Sequence, residues 1–257
     1  MDASKTAAHF DMTGKVCVVT GGSRGLGKQM CQAFAEAGAS VIVSSRKGDA
    51  CEATAQEIAE STGATVIAKA CHVADWDQCD ALLDVAYAKF GKVDVLVNNA
   101  GMSPLYAKLS DVSRDLWDKV IGVNLAGPFR LSAIAAERMA AGDGGSIINV
   151  SSIASIAPGA AEIPYGTAKA GLNNLTESMA HAYGPKVRVN CILPGPFLTD
   201  ISNAWDDNVK EHFKKIAPLQ RAGNPDEIVG LALYLASDAS TYTTGALIKV
   251  DGGIAYG

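Results

Sequence analysis

The sequence predicts an α/β protein built on a doubly wound parallel sheet of about seven strands, with helices on both faces and a single domain. Three observations predict it: short β-branched runs alternate with longer segments of helical period, the runs are apolar throughout, and no linker, repeat or change of composition interrupts residues 15–253. Strands that are apolar on both sides suit a sheet covered on both faces, and crossover helices make neighbouring strands parallel. With 257 residues and 48% hydrophobic content, one domain with a sizeable core is expected over 13–257, after a flexible extension at 1–12.

The strand candidates, in order, are 16–19, 40–44, 65–68, 93–97, 146–150, 187–192 and 247–250. A helix over 29–37 follows the first. Between the third and fourth, Leu82, Leu83, Val85, Ala86 and Phe90 recur near a 3.6-residue period over 75–90, and Gly91 reads as the C-cap.

Composition narrows the function. The formal net charge is −5 and no cluster of Lys and Arg occurs, so a small-molecule substrate is expected and a nucleic-acid partner is not. Cys17, Cys31, Cys51, Cys71, Cys79 and Cys191 form no C-x-x-C pair, and several fall in apolar periodic stretches, which reads as reduced structural thiols. His9, His72, His181 and His212 never reach ligand spacing with one another or with a carboxylate, so no metal site is expected. Residues 1–12 carry Asp2, Lys5, His9 and Asp11 and lack the apolar core of a signal peptide, and no segment reaches about 18 uninterrupted apolar residues. A cytoplasmic protein with no membrane partner is the expectation.

The first strand runs into Thr20-Gly21-Gly22-Ser23-Arg24-Gly25-Leu26-Gly27, and a helix opens directly after it. Glycines let a backbone approach a pyrophosphate closely, while a helix N-terminus offers unpaired N–H donors and about +0.5 of an elementary charge. The spacing of Gly21, Gly25 and Gly27 departs from the G-x-G-x-x-G dinucleotide fingerprint. Further motifs follow in order: Asn98-Asn99-Ala100-Gly101 after the fourth strand, Asn124 within Val123-Asn124-Leu125, Ser152 after the fifth strand, Tyr165-Gly166-Thr167-Ala168-Lys169, Pro194-Gly195, and Val250-Asp251-Gly252-Gly253.

With this set the chain resembles the short-chain dehydrogenase/reductase family from Lys15 almost to its end. The resemblance implies a Rossmann fold and a nicotinamide dinucleotide held by Gly21, Ser23, Gly25, Leu26, Gly27, Val73, Asn98, Ala100, Gly101, Pro194, Gly195, Phe197 and Thr199, with Tyr165 and Lys169 beside it. It also implies a homotetramer packed through long helices at 111–139 and 163–183 and through the last strand.

Dinucleotide sites commonly carry an Asp or Glu about 20 residues past the glycines, which accepts from the adenosine ribose and repels a 2′-phosphate. This chain has Ser44, Ser45, Arg46 and Lys47 there, which are hydroxyl and cationic donors suited to phosphate, and Arg24 lies in the glycine turn. The cofactor expected is therefore NADP(H). Where the family usually has Asp-Val after the third strand, this chain has His72-Val73, so His72 either contacts adenine or is a surface histidine.

Tyr165 and Lys169 stand at i and i+4, on one face of a helix. A phenol near pKa ~10 needs ~3 units of lowering, ~4 kcal/mol, to exchange its proton near neutrality. The Lys169 cation and an oxidised nicotinamide supply that in a low-dielectric cleft. Tyr165 then serves as general acid in carbonyl reduction and general base in alcohol oxidation. Ser152, just past the fifth strand, polarises the substrate oxygen, whereas Ser151 points the other way if the strand continues. By resemblance, Asn124 holds a water that refills Lys169 with protons.

Pocket positions are expected after the strand ends, at 102–106, 153–164 and 196–205; the segment 198–216 resembles the family's mobile substrate lid, or is a surface helix with Trp205 and Phe213 packed inward. Ile153, Ala157, Pro158, Ile163, Phe197 and Trp205 suit a hydrophobic ketone or alcohol, although Glu162 could meet a hydroxyl or amine. Two alternatives stand: a 3-oxoacyl-carrier-protein reductase, for which Lys186 and Arg188 are the nearby cations, and a non-catalytic NADP(H)-binding sensor, which usually loses part of the proton-transfer set.

Overall fold

Seven parallel strands, β1 (Val16–Thr20), β2 (Ser40–Ser45), β3 (Val66–Ala70), β4 (Val95–Asn98), β5 (Gly145–Val150), β6 (Val187–Pro194) and β7 (Leu247–Val250), form one sheet in the order β3-β2-β1-β4-β5-β6-β7. The structure is a computed structural model, and it describes residues 3–199, 202 and 207–255. All seven strands stand where the sequence places them, with ends displaced by one or two residues, as is usual for strand boundaries. Trp205 lies outside the described residues.

The helices are α1 (Ala3–Ala8), α2 (Gly25–Glu36), α3 (Gly48–Thr62), α4 (Trp76–Phe90), α5 (Arg114–Ile121), α6 (Gly127–Ala141), α7 (Ile163–Tyr183), α8 (Asp207–Ile216) and α9 (Val229–Ala236). Side chains alternate across the sheet. Cys17 and Val19 of β1 join Met30, Phe34, Ile58 and Leu235 in one core layer, while Val18 joins Leu82, Leu83, Leu131 and Met179 in the other. This is why the strand reads as apolar without interruption. All six cysteines are buried and unpaired, as their positions in apolar stretches suggested. Met12 is fully buried, and its N–H donates to Ala37 O (2.9 Å), so the core takes in the chain from there.

α4 shows how the local sequence sets its ends. Asp75 caps it by accepting from the N–H groups of Asp77 and Gln78, and Gly91, at φ 76°, stops it in the left-handed conformation. The long helix expected over 111–139 is not one helix. A 3₁₀ turn at Leu109–Asp111 precedes α5, Ser113 caps α5, and a π-helical turn over Gly122–Ala126 separates α5 from α6. Within the wide turn, Asn124 Nδ2 donates back to Val120 O (3.0 Å). No helix among the described residues is long and apolar enough to cross a membrane.

Candidate active site

Chain order reverses between β1 and β4, and the crevice at their carboxyl ends is where open α/β sheets hold ligands. Thr20, the last residue of β1, ties the two loops there. Its Oγ1 accepts from the N–H groups of Asn99 (3.1 Å) and Ala100 (3.2 Å) and donates to Val97 O (3.2 Å). Asn99 Nδ2 returns the tie by donating to Thr20 O (3.0 Å) and Gly21 O (3.2 Å). The sequence offered no sign of this role for Thr20 or Asn99 beyond their place in the motifs.

Within the turn, Gly21 takes φ 64° and Gly25 φ 52°, and a Cβ on Gly27 would drive into the Gly21 carbonyl oxygen. Arg24 occupies the N-cap of α2 without a side-chain capping bond, which leaves the first amides of the helix open to an anion. A cradle closed to side chains, with uncapped amides at its mouth, fits a dinucleotide pyrophosphate.

At the edge of this cradle, Ser23 Oγ donates to Ser45 Oγ (2.9 Å) and Thr54 Oγ1 donates to Ser23 O (3.1 Å), joining the glycine turn to the end of β2. Arg24, Arg46 and Lys47 are exposed there, and none of their side chains has a hydrogen-bond or ion-pair partner among the described residues. Thr199 lies over the turn, since a Cβ on Gly25 would sit 3.4 Å from its Cγ2. Leu26 is partly buried against the core.

Other expected nucleotide residues lie deeper. Asn98 is 1% exposed, and its Nδ2 donates to Ser132 Oγ (2.8 Å) and Asn149 Oδ1 (2.9 Å), so its amide serves a buried ladder that continues to Thr176. Val73 and Phe197 have core side chains, and Phe197 packs against Gly223. His72 is partly exposed, with its N–H held by Gln78 Oε1 (2.9 Å). Pro194 ends β6, and Gly195 donates to Val250 O (3.0 Å) beside Asp251.

The chemical centre forms at the ends of β4 and β5 and the start of α7. Ser151 turns inward, its Oγ donating to Lys169 O (3.1 Å), while Ser152 accepts from Ala154 N (3.1 Å) and its hydroxyl meets Tyr165. Lys169 is 2% exposed, and its Nζ donates to Val150 O (2.7 Å) at 5.7 Å from the centre of the Tyr165 ring. Asn124 is fully buried and pins the next loop, donating to Met102 O (2.8 Å) and accepting from Met102 N (3.2 Å). Gly101 lies between them: a Cβ there would stand 3.0 Å from Asn124 Oδ1 and 3.7 Å from Lys169 Nζ. The four expected catalytic side chains thus share one corner.

Burial pushes the Tyr165 phenol up to about 12, with the Ser152 hydrogen bond opposing and the Glu162 charge adding to the rise. Burial also draws the Lys169 ammonium down to about 8. The protein's own groups therefore move Tyr165 away from neutrality, chiefly through burial, and Lys169 donates to Val150 O instead of to the phenol.

Around the mouth, Leu105, Ile156, Ile163 and Leu198 are exposed. Tyr106, which the sequence marked only as part of a pocket loop, clamps two loops together. Its hydroxyl donates to Ala160 O (3.1 Å) and accepts from Ile163 N (2.9 Å). Lys186 and Arg188 lie at the other end of β6. Lys186 Nζ donates to Gly142 O (3.2 Å), and Arg188 is committed to Ser240 Oγ (2.7 Å), Leu235 O (3.0 Å) and Ser237 O (3.2 Å).

A family model described as enoyl-(acyl carrier protein) reductase matches residues 20–255. The chain is 41% identical over 247 residues to L-rhamnose 1-dehydrogenase (NAD(P)(+)) of Azotobacter vinelandii, covering 93% of this chain and 96% of that one. It is 38% identical over 245 residues to a 3-oxoacyl-[acyl-carrier-protein] reductase of Chlamydia trachomatis, covering 95% and 98%. Its fold matches the NADPH-dependent 3-quinuclidinone reductase of Rhodotorula rubra with a TM-score of 0.92 at 32% identity, covering 96% and 94%.

Proposed function

This chain belongs to the short-chain dehydrogenase/reductase family of oxidoreductases, and we propose that within it the protein is an NADP(H)-dependent carbonyl reductase and alcohol dehydrogenase for a hydrophobic ketone or secondary alcohol. The observation that carries this reading is the meeting of Tyr165, Lys169 and Ser152 in one corner beside the glycine cradle. The preference for NADP(H) rests on Arg24, Arg46 and Lys47, three cations without partners among the described residues at the edge where a 2′-phosphate belongs. The apolar mouth of Leu105, Ile156, Ile163 and Leu198 supports the substrate class.

When bound, the nicotinamide supplies the hydride acceptor or donor and, oxidised, a positive charge. Tyr165 passes a proton between its phenol oxygen and the substrate oxygen, and Ser152 donates a hydrogen bond to that same oxygen. Lys169 holds a positive charge behind the phenol. Asn124, rigid in its wide turn, positions the water through which protons are refilled.

The acyl-carrier-protein alternative is the weaker one, because an acidic carrier needs a basic rim at the mouth. Lys186 and Arg188 stand at the far end of β6 and are already bonded. The same reading assigns a cytoplasmic location and a homotetramer, and an apolar groove between α6 and α7 lined by Leu125, Phe129 and Leu175 supports self-association.

The test is a panel of aryl and alkyl ketones, alcohols and an acyl thioester, followed by NADPH absorbance, with Tyr165→Phe beside the wild type. Ketone turnover that falls at least about 10³-fold in Tyr165→Phe while NADPH still binds is the expected outcome. Comparable rates in the two proteins would remove Tyr165 as the proton donor.

A further inference from the structure

We propose that Glu162 is the substrate-recognition group of this site, selecting a carbonyl or alcohol compound that carries a protonated amine on an otherwise apolar frame. The inference rests on the carbonyl-reductase reading and names the substrate class within it.

Glu162 immediately precedes α7, three residues before Tyr165, and is half-buried. A glutamate in that place ordinarily has a structural purpose, capping the helix or pairing with a cation. Glu162 does neither. It stands at the N-cap of α7 without a side-chain capping bond, and its carboxylate has no hydrogen-bond or ion-pair partner among the described residues. Half withdrawn from water and given no partner by the neighbouring groups, the carboxylate is open to a cation that arrives.

Its position is held firmly. The Tyr106 hydroxyl bonds Ala160 O (3.1 Å) on one side of Glu162 and Ile163 N (2.9 Å) on the other, so a residue from a separate loop fixes the backbone on both flanks. The carboxylate is close enough to the catalytic phenol for its charge to oppose phenolate formation there.

The partner it lacks is a cation that the neighbouring loops do not provide. Residues 99–107 and 151–164 contain no Lys or Arg, and the ammonium of Lys169, two turns along α7, is buried and donates to Val150 O. Ile156 and Ile163, on the same stretch of chain, expose apolar carbon at the mouth. A polyhydroxylated substrate would set most of its hydroxyls against those carbons, whereas an ammonium on an apolar ring needs a single carboxylate. Such a cation, once paired with Glu162, also cancels the repulsion that the carboxylate exerts on the developing phenolate, so the right substrate assists its own proton transfer.

The matched pair 1-methyl-4-piperidone and 4-methylcyclohexanone isolates the charge, and a free hexose provides the polyol arm. Wild-type enzyme with NADPH is expected to favour the piperidone by at least about 10-fold in kcat/KM, and Glu162→Gln to reduce that ratio about 10- to 100-fold, the range for charge-assisted bonds. A purely structural role for Glu162 would move both ketones together and leave the ratio alone. An unchanged ratio in Glu162→Gln, or a wild type that prefers the hexose, overturns the inference while the oxidoreductase reading stands. Failure of the wild type to reduce any ketone in the wider panel overturns both.

Discussion

Replacing Lys169 with methionine should change how stability responds to pH in a manner that no surface lysine would reproduce. Lys169 is 2% exposed, and burial draws its ammonium from an ordinary 10.5 to about 8. In the unfolded chain the amine keeps its proton until near pH 10.5, so between about pH 8 and 10.5 the unfolded state binds more protons than the folded one. Stability supported by this residue therefore rises with pH across that window and is lowest below it. The full gap is worth about 3 kcal/mol, and the part lying between pH 7 and 9.5 about 2 kcal/mol. Tyr165 acts with the opposite sign, since its folded value of about 12 lies above the ordinary 10.0, but its window opens only near pH 10. The lost bond to Val150 O weakens the methionine variant at both pH values and drops out of the comparison. Urea midpoints of both proteins, measured at equal protein concentration at pH 7 and 9.5, give the answer. The wild type is expected to gain about 2 kcal/mol on the variant as pH rises. Parallel pH profiles would refute the argument that the buried ammonium is held at a cost.

Two further substitutions test the nucleotide cradle. Arg46→Asp places a carboxylate where the 2′-phosphate is assigned and should raise the KM for NADPH about 10- to 100-fold, with far less effect on NADH; equal changes for the two cofactors would count against the NADP(H) assignment. Gly27→Ala drives a methyl group into the Gly21 carbonyl, so NADPH affinity followed by nicotinamide fluorescence should fall at least about 10-fold. Gly230→Ala, where nothing lies within 4 Å of the added carbon, serves as the control and should leave affinity as it was.

Much of this could be read along the chain because the signals are local. The seven strands, the capped α4 and the glycine turn each depend on residues a few positions apart, and the backbone geometry of those residues is their own property. Even the expectation that Ser151 and Ser152 point apart needed only the alternation of a strand. The break in the helix at 111–139 was not legible, since a π turn forms where a side chain such as Asn124 finds a carbonyl to bond and a loop to pin, and the loop at Met102 is 22 residues away. Asn98 looked like a nucleotide residue from its motif, yet its partners Ser132 and Asn149 are 34 and 51 residues distant and draw its amide into the core.

The order and kind of the elements and the family resemblance were thus determined by sequence alone, and the proposed reacting side chains were named from it, because spacing along the chain decides what shares a strand end or a helix face. Tertiary structure alone decided how those side chains are bonded: Thr20 across 79 residues to Asn99, Lys169 to Val150 O instead of to the phenol, and Tyr106 over Glu162. Those bonds depend on which segments the sheet brings together, and on burial, which raises the phenol and lowers the ammonium where bare spacing had suggested only their attraction.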